Sequence, residues 1–80
     1  MKLFDVGRGK FVRLRSDTYV PPGGNVLKKD TILYFDHVDG MYSYCKTLNH
    51  ELVHPVAWAD VAVLRNVSDI EAQYERNKTV

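Results

Sequence analysis

Two runs rich in β-branched and aromatic residues, Thr31-Ile32-Leu33-Tyr34-Phe35-Asp36-His37-Val38 and Met41-Tyr42-Ser43-Tyr44-Cys45-Lys46-Thr47, are separated only by Asp39-Gly40. Asp-Gly between such runs is the strongest short-range signal of a β-hairpin, because a type I′ turn needs positive φ at both central residues. The pair therefore commits the middle of the chain to antiparallel strands. In the second of them Tyr42 and Tyr44 share one face and Met41, Ser43 and Cys45 the other, so one face belongs to the core and the other is at least partly wet.

The flanking sequence extends the same pattern. Lys10 to Arg15 alternates apolar residues with bases in its second half, as a strand half covered by core does. Ser16 to Gly24 reads as a long loop, since Pro21-Pro22-Gly23-Gly24 holds two residues without a backbone donor and two that tolerate positive φ. After a turn at Leu48-Asn49-His50, Glu51 to Trp58 reads as a strand interrupted or edged by Pro55. Ala59-Asp60 is a short break, and Val61 to Arg65 a fifth strand. Ser68-Asp69-Ile70-Glu71 has the form of a capping box and predicts a helix over about 69–77, with Ile70 and Tyr74 on one face. Such a helix is too short to be stable alone and must dock or fray.

Eighty residues leave room for one domain and one core. We expect a single domain over 1–80, mainly β, with the strands over about 8–65 and the short helix behind them. Five short strands, a long loop after the first, a tight central hairpin (Asp39-Gly40-Met41-Tyr42) and Val56-Ala57-Trp58-Ala59-Asp60-Val61 leading into the last strand resemble a small SH3-like antiparallel barrel. The resemblance covers about two thirds of the chain, Lys10 to Leu64. It lies at the level of the fold, which hosts many unrelated functions. Members of that broad fold group, such as Tudor-like and KOW-type domains, often bind peptides or RNA, and the resemblance implies no specific family among them.

An apolar fraction of 45% and a charged fraction of 26% exclude a wholly disordered chain. Met1 to Lys10 lacks the apolar stretch of a secretory signal, and no later run approaches the roughly 20 apolar residues of a membrane-spanning helix. One cysteine, Cys45, allows neither an internal disulfide nor a multi-cysteine zinc site. A reducing cytoplasm is the expected location, and the sequons at Asn66 and Asn77 are then chance matches. A short chain starting at its own methionine, without a catalytic set, is also the kind a virus or mobile element encodes.

His50-Glu51-Leu52-Val53-His54 matches the zinc-protease pattern His-Glu-x-x-His. That chemistry needs a helix, which alone projects both histidines at one metal, and a third ligand for which Glu71 or Glu75 is available. Pro55 disfavours the helical conformation of His54. Read as a strand, the same residues place both histidines on one face roughly 13 Å apart, too far for one ion. We expect no enzyme, no cofactor and no metal here. A pairing of His37 with His50 or His54 across strands is an alternative without supporting ligands, and Cys45, with no base beside it, reads as an inert buried thiol.

The net charge of +1 conceals an asymmetry. Residues 1–30 carry seven bases against three acids, and residues 31–80 carry four against seven. Two functions follow. The first is a protein-interaction module, a regulator or inhibitor of a larger partner, using edge strands and the long loop with Tyr19, Pro21 and Pro22. The second is single-stranded RNA or DNA binding, with Arg13, Arg15, Lys28 and Lys29 on phosphates and Tyr42 and Tyr44 as stacking platforms.

Overall fold

The computed structural model describes residues 1–21 and 24–78. Its strands are β1 (Lys10–Leu14), β2 (Thr18–Val20), β3 (Asn25–Leu27), β4 (Ile32–Asp39), β5 (Tyr42–Thr47), β6 (Leu52–Val53) and β7 (Val61–Val63), followed by helix α1 (Ser68–Lys78). All pairings are antiparallel. Five strands form one sheet in the order β6-β5-β4-β1-β7, and β2 and β3 form a separate two-stranded sheet. Among the described residues β6 and β7, the two ends of the larger sheet, do not pair with each other, so the expected closed barrel is replaced by an open sheet and a hairpin.

The central hairpin forms one residue later along the chain than the Asp-Gly pattern predicts. Asp39 pairs with Tyr42, leaving Gly40-Met41 as the two-residue loop. Gly40 has φ +68° and Met41 does not share the positive region. Glycine with positive φ at the first central position is the type II′ arrangement, not type I′. Further up the hairpin the register shifts between Phe35 and His37. The extra residue, Asp36, lets Leu33, Phe35 and Val38 all face inward, against Ser43 and Cys45 on β5.

The segment expected to be a loop, Ser16 to Gly24, enters a hairpin instead. Thr18 pairs with Leu27, Tyr19 with Val26 and Val20 with Asn25, so Thr18–Val20 and Asn25–Leu27 form a two-stranded ladder. The Glu51 to Trp58 strand shrinks to Leu52–Val53 and a single bridge between Tyr42 and Val56. Pro55 is buried there, its carbonyl accepting both the Ser43 amide and the Ser43 hydroxyl at 2.8 Å. That double acceptance satisfies an otherwise costly buried serine.

The core lies on one face of the large sheet, where Val12, Leu14, Leu33, Phe35, Cys45 and Val61 meet. The N-terminal segment closes its lower end. A short 3-10 helix, Leu3–Asp5, is tied by amide bonds from Leu3 to the Ala59 carbonyl (2.9 Å) and from Phe4 to the Ala57 carbonyl (3.0 Å), and it buries Leu3 and Val6.

The opposite face is covered by α1. Asn66, at φ +54°, turns the chain back across the sheet. The capping box does not form: the Glu71 amide donates to the Val67 carbonyl at 2.7 Å, starting the helix one residue earlier than a Ser68 cap allows. No side chain of α1 is fully buried, and the helix docks through Tyr74. Its ring stacks on Tyr34 (5.2 Å) and His50 (3.9 Å) and meets Phe11 edge-on (5.5 Å). Asn77 adds a bond to the Leu48 carbonyl at 2.7 Å. Phe11 is thus buried beside Val12 because both faces of β1 are covered.

Two stability tests follow from these contacts. Gly40→Val is expected to cost more than about 1 kcal/mol in urea denaturation, whereas Asp39→Thr, at a position with ordinary φ, is expected to cost little. Tyr74→Ala is expected to cost about 2 kcal/mol and to expose the amides of 70–78 to exchange while β1 and β4 stay protected.

Candidate functional site

The basic residues singled out from sequence are held on acids once the chain folds. Arg13 Nη1 lies 2.7 Å from Asp30 Oδ1, and Asp30 is fixed in a left-handed turn by its amide bond to the Leu14 carbonyl. Arg15 approaches Asp60 at 4.0 Å, and Lys28 approaches Asp17 at 3.9 Å. Asp17 also accepts the Lys29 backbone amide at 2.8 Å, while the Lys29 side chain has no carboxylate within reach among the described residues. Arg8 donates to Asp36 at 2.7 Å, an interaction that lowers the Asp36 carboxyl below its ordinary value. Its contribution is present above the ordinary carboxylate range and fades as pH falls through the lowered value. These exposed pairs contribute little to stability. They do place an acid beside Arg8, Arg13, Arg15 and Lys28.

The aromatic residues separate into three groups. Phe11 and Tyr34 lie beneath α1. Tyr44 is half-buried, stacked on His37 at 4.6 Å and meeting His54 edge-on at 4.7 Å. The third group surrounds the β2–β3 hairpin and is exposed: Tyr19 retains 48% of its accessible surface, Val26 50%, Trp58 49% and Leu52 56%. Tyr19 and Trp58 line a common depression with Val56. Pro21 borders two others, a groove of about 360 Å³ shared with Val26, Leu27, Leu52 and Val53, and a shallower one of about 320 Å³ with Tyr42, Tyr44 and His54. Pro22 lies outside the described residues. Pro21 therefore lies with Val26 and Leu52 in one groove and with Tyr42 in another, and Tyr19 lies with Trp58 in a third; Val26, Leu52 and Trp58 are not singled out by the sequence. Val26 was hidden because a three-residue strand is too short to show alternation, and Leu52 because attention falls on the histidines beside it.

The His-Glu-x-x-His segment is not helical. His50 sits at φ +65° and β6 begins at Leu52. The extended reading, which puts both imidazoles on one strand face, also fails, because the strand covers only Leu52–Val53 and the two rings have different partners. His50 Nε2 donates to the Tyr74 carbonyl at 2.7 Å, and His54 Nδ1 to the Ser43 carbonyl at 3.1 Å. Tyr44 stands between His37 and His54. No group of three or more His, Cys, Asp or Glu side chains spaced for a metal ion occurs among the described residues, and no described helix is long and apolar enough to cross a membrane.

Cys45 is fully buried, 3.4 Å from the Ser43 hydroxyl, and burial pushes its thiol up to about 11. At pH 8 the native protein is therefore expected to react with a thiol-specific disulfide reagent only as fast as it unfolds, and rapidly in denaturant. Fast stoichiometric labelling of the native protein would contradict that burial. No protein-family model matches the chain, and comparison with the curated proteins and with the solved structures finds no match either.

Proposed function

We propose that this chain is a small protein-interaction module, without catalysis of its own, that regulates or inhibits a larger partner protein. The observation that carries the proposal is the gathering of half-exposed Tyr19, Val26, Leu52 and Trp58 around the β2–β3 hairpin. Large apolar side chains grouped on one side of a small domain are uncommon unless something covers them. Tyrosine and tryptophan are also the residue types that dominate the energetics of protein interfaces. A reducing, cytoplasmic setting suits the free Cys45.

The competing function, binding of single-stranded nucleic acid, draws on Arg13, Arg15 and Lys28, each already beside a carboxylate. Capture from a host lysate with and without nuclease separates the two. We expect a partner that survives nuclease and is lost by about tenfold or more in Tyr19→Ala/Trp58→Ala, while Arg13→Ala/Arg15→Ala changes capture little. Nuclease-sensitive capture that depends on Arg13 and Arg15 and weakens steeply with salt would replace the proposal with nucleic-acid binding.

A further inference from the structure

Beyond the exposed side chains, the backbone of one strand indicates how a partner is held. On antiparallel strands, alternate residues turn their N–H and C=O groups toward the same neighbour. The Thr47 amide bonds the Glu51 carbonyl at 2.9 Å, Cys45 pairs with Val53, the Ser43 amide bonds the Pro55 carbonyl at 2.8 Å, and the Ala57 amide bonds the Met41 carbonyl at 2.8 Å. Residues 51, 53, 55 and 57 therefore face β5. Leu52 and His54 turn their two donors and two acceptors the other way, where no described residue meets them.

These groups open onto the groove of about 360 Å³ whose far wall is β3. Its floor is apolar: Val20 is buried, and Leu27 and Val53 pack on the core. Its rims are the exposed Val26 and Leu52.

We infer that the open side of the fold between β6 and β3 receives an extended segment of the partner protein, which adds as a strand to the β6 edge at Leu52 and His54. Only an extended backbone offers donors and acceptors at the matching two-residue interval, since a helix uses its own internally. The period of two also sets the chemistry of the segment: β-branched apolar side chains at alternate positions, directed at Val20, Leu27 and Val53, with intervening residues directed to solvent. The groove runs between this edge and the hairpin, with Val26 and Leu27 of β3 facing Leu52 and Val53 of β6 across it. This inference rests on the protein-interaction reading and specifies its mode.

The test uses a capped heptapeptide of alternating threonine and valine with lysine at each end, titrated into the nitrogen-15-labelled full chain. We expect saturable shifts at the Leu52 and His54 amides and at least about tenfold slower hydrogen exchange there, with Val53 unchanged because it is already bonded to β5. The same peptide N-methylated at its central residues should bind at least about tenfold more weakly. So should the unmodified peptide to Leu52→Pro, which removes an outward donor at an edge where proline is tolerated. Equal binding of the N-methylated peptide, shifts confined to Tyr19 and Trp58, or no binding would each overturn the inference. So would a concentration-dependent dimer abolished by Leu52→Pro, which assigns the edge to a second copy. Partner capture that depends on Tyr19 and Trp58 but ignores Leu52→Pro would overturn strand addition and leave the interaction module standing.

Discussion

One extra residue in β4 holds the architecture together. Strict alternation from Leu33 and Phe35 would carry His37 into the core and turn Val38 out to solvent. The bulge at Asp36 resets the count, so that Val38 follows Leu33 and Phe35 inward and meets Ser43 across the hairpin. The same reset sends two consecutive polar residues outward. Asp36 reaches Arg8, anchoring the segment that precedes β1, and His37 stacks on Tyr44. A single local irregularity thus sets the composition of both faces of the longest strand.

Covering is uneven around that strand. One face of the sheet carries the aliphatic core. The other is shielded at the Phe11 and Tyr34 end by α1 and left open toward Tyr44 and Leu52. The helix depends on tertiary contact because eleven residues are marginal in isolation. It is attached through the Tyr74 ring, the His50 bond to the Tyr74 carbonyl and the Asn77 side chain, and none of its side chains is fully buried. The β2–β3 hairpin is also peripheral, and the space between it and β6 keeps the two sheets from merging.

What could be read in the sequence follows the range over which each signal acts. The β4–β5 hairpin, the mainly β class and the C-terminal helix are written in local patterns of eight or more residues and appear as expected. The turn type was legible only to within one position, because Asp-Gly and Gly-Met are both consistent with the flanking runs until the bulge fixes the register. The β2–β3 ladder is hidden in the sequence because Thr18–Val20 and Asn25–Leu27 are three residues each, too short to show alternation. The charge asymmetry along the chain is partly offset in space, since Asp36 and Asp60 cross from the acidic part to meet Arg8 and Arg15. Pairings of that kind depend on sheet order, which no local pattern contains. The exposed apolar side chains were half visible for the same reason: Tyr19 and Pro21 stand out in a polar stretch, whereas Val26, Leu52 and Trp58 stand out only when the fold leaves them uncovered.

Trp58 is the chain's one tryptophan, and its indole stands half exposed beside Tyr19 in the depression next to the hairpin. Indole emission moves to shorter wavelength when water is excluded and to longer wavelength when the ring is fully solvated. A molecule settling over this surface therefore shifts the emission to the blue, and loss of the fold shifts it to the red. The protein carries an intrinsic optical reporter in which occupancy and unfolding have opposite signs.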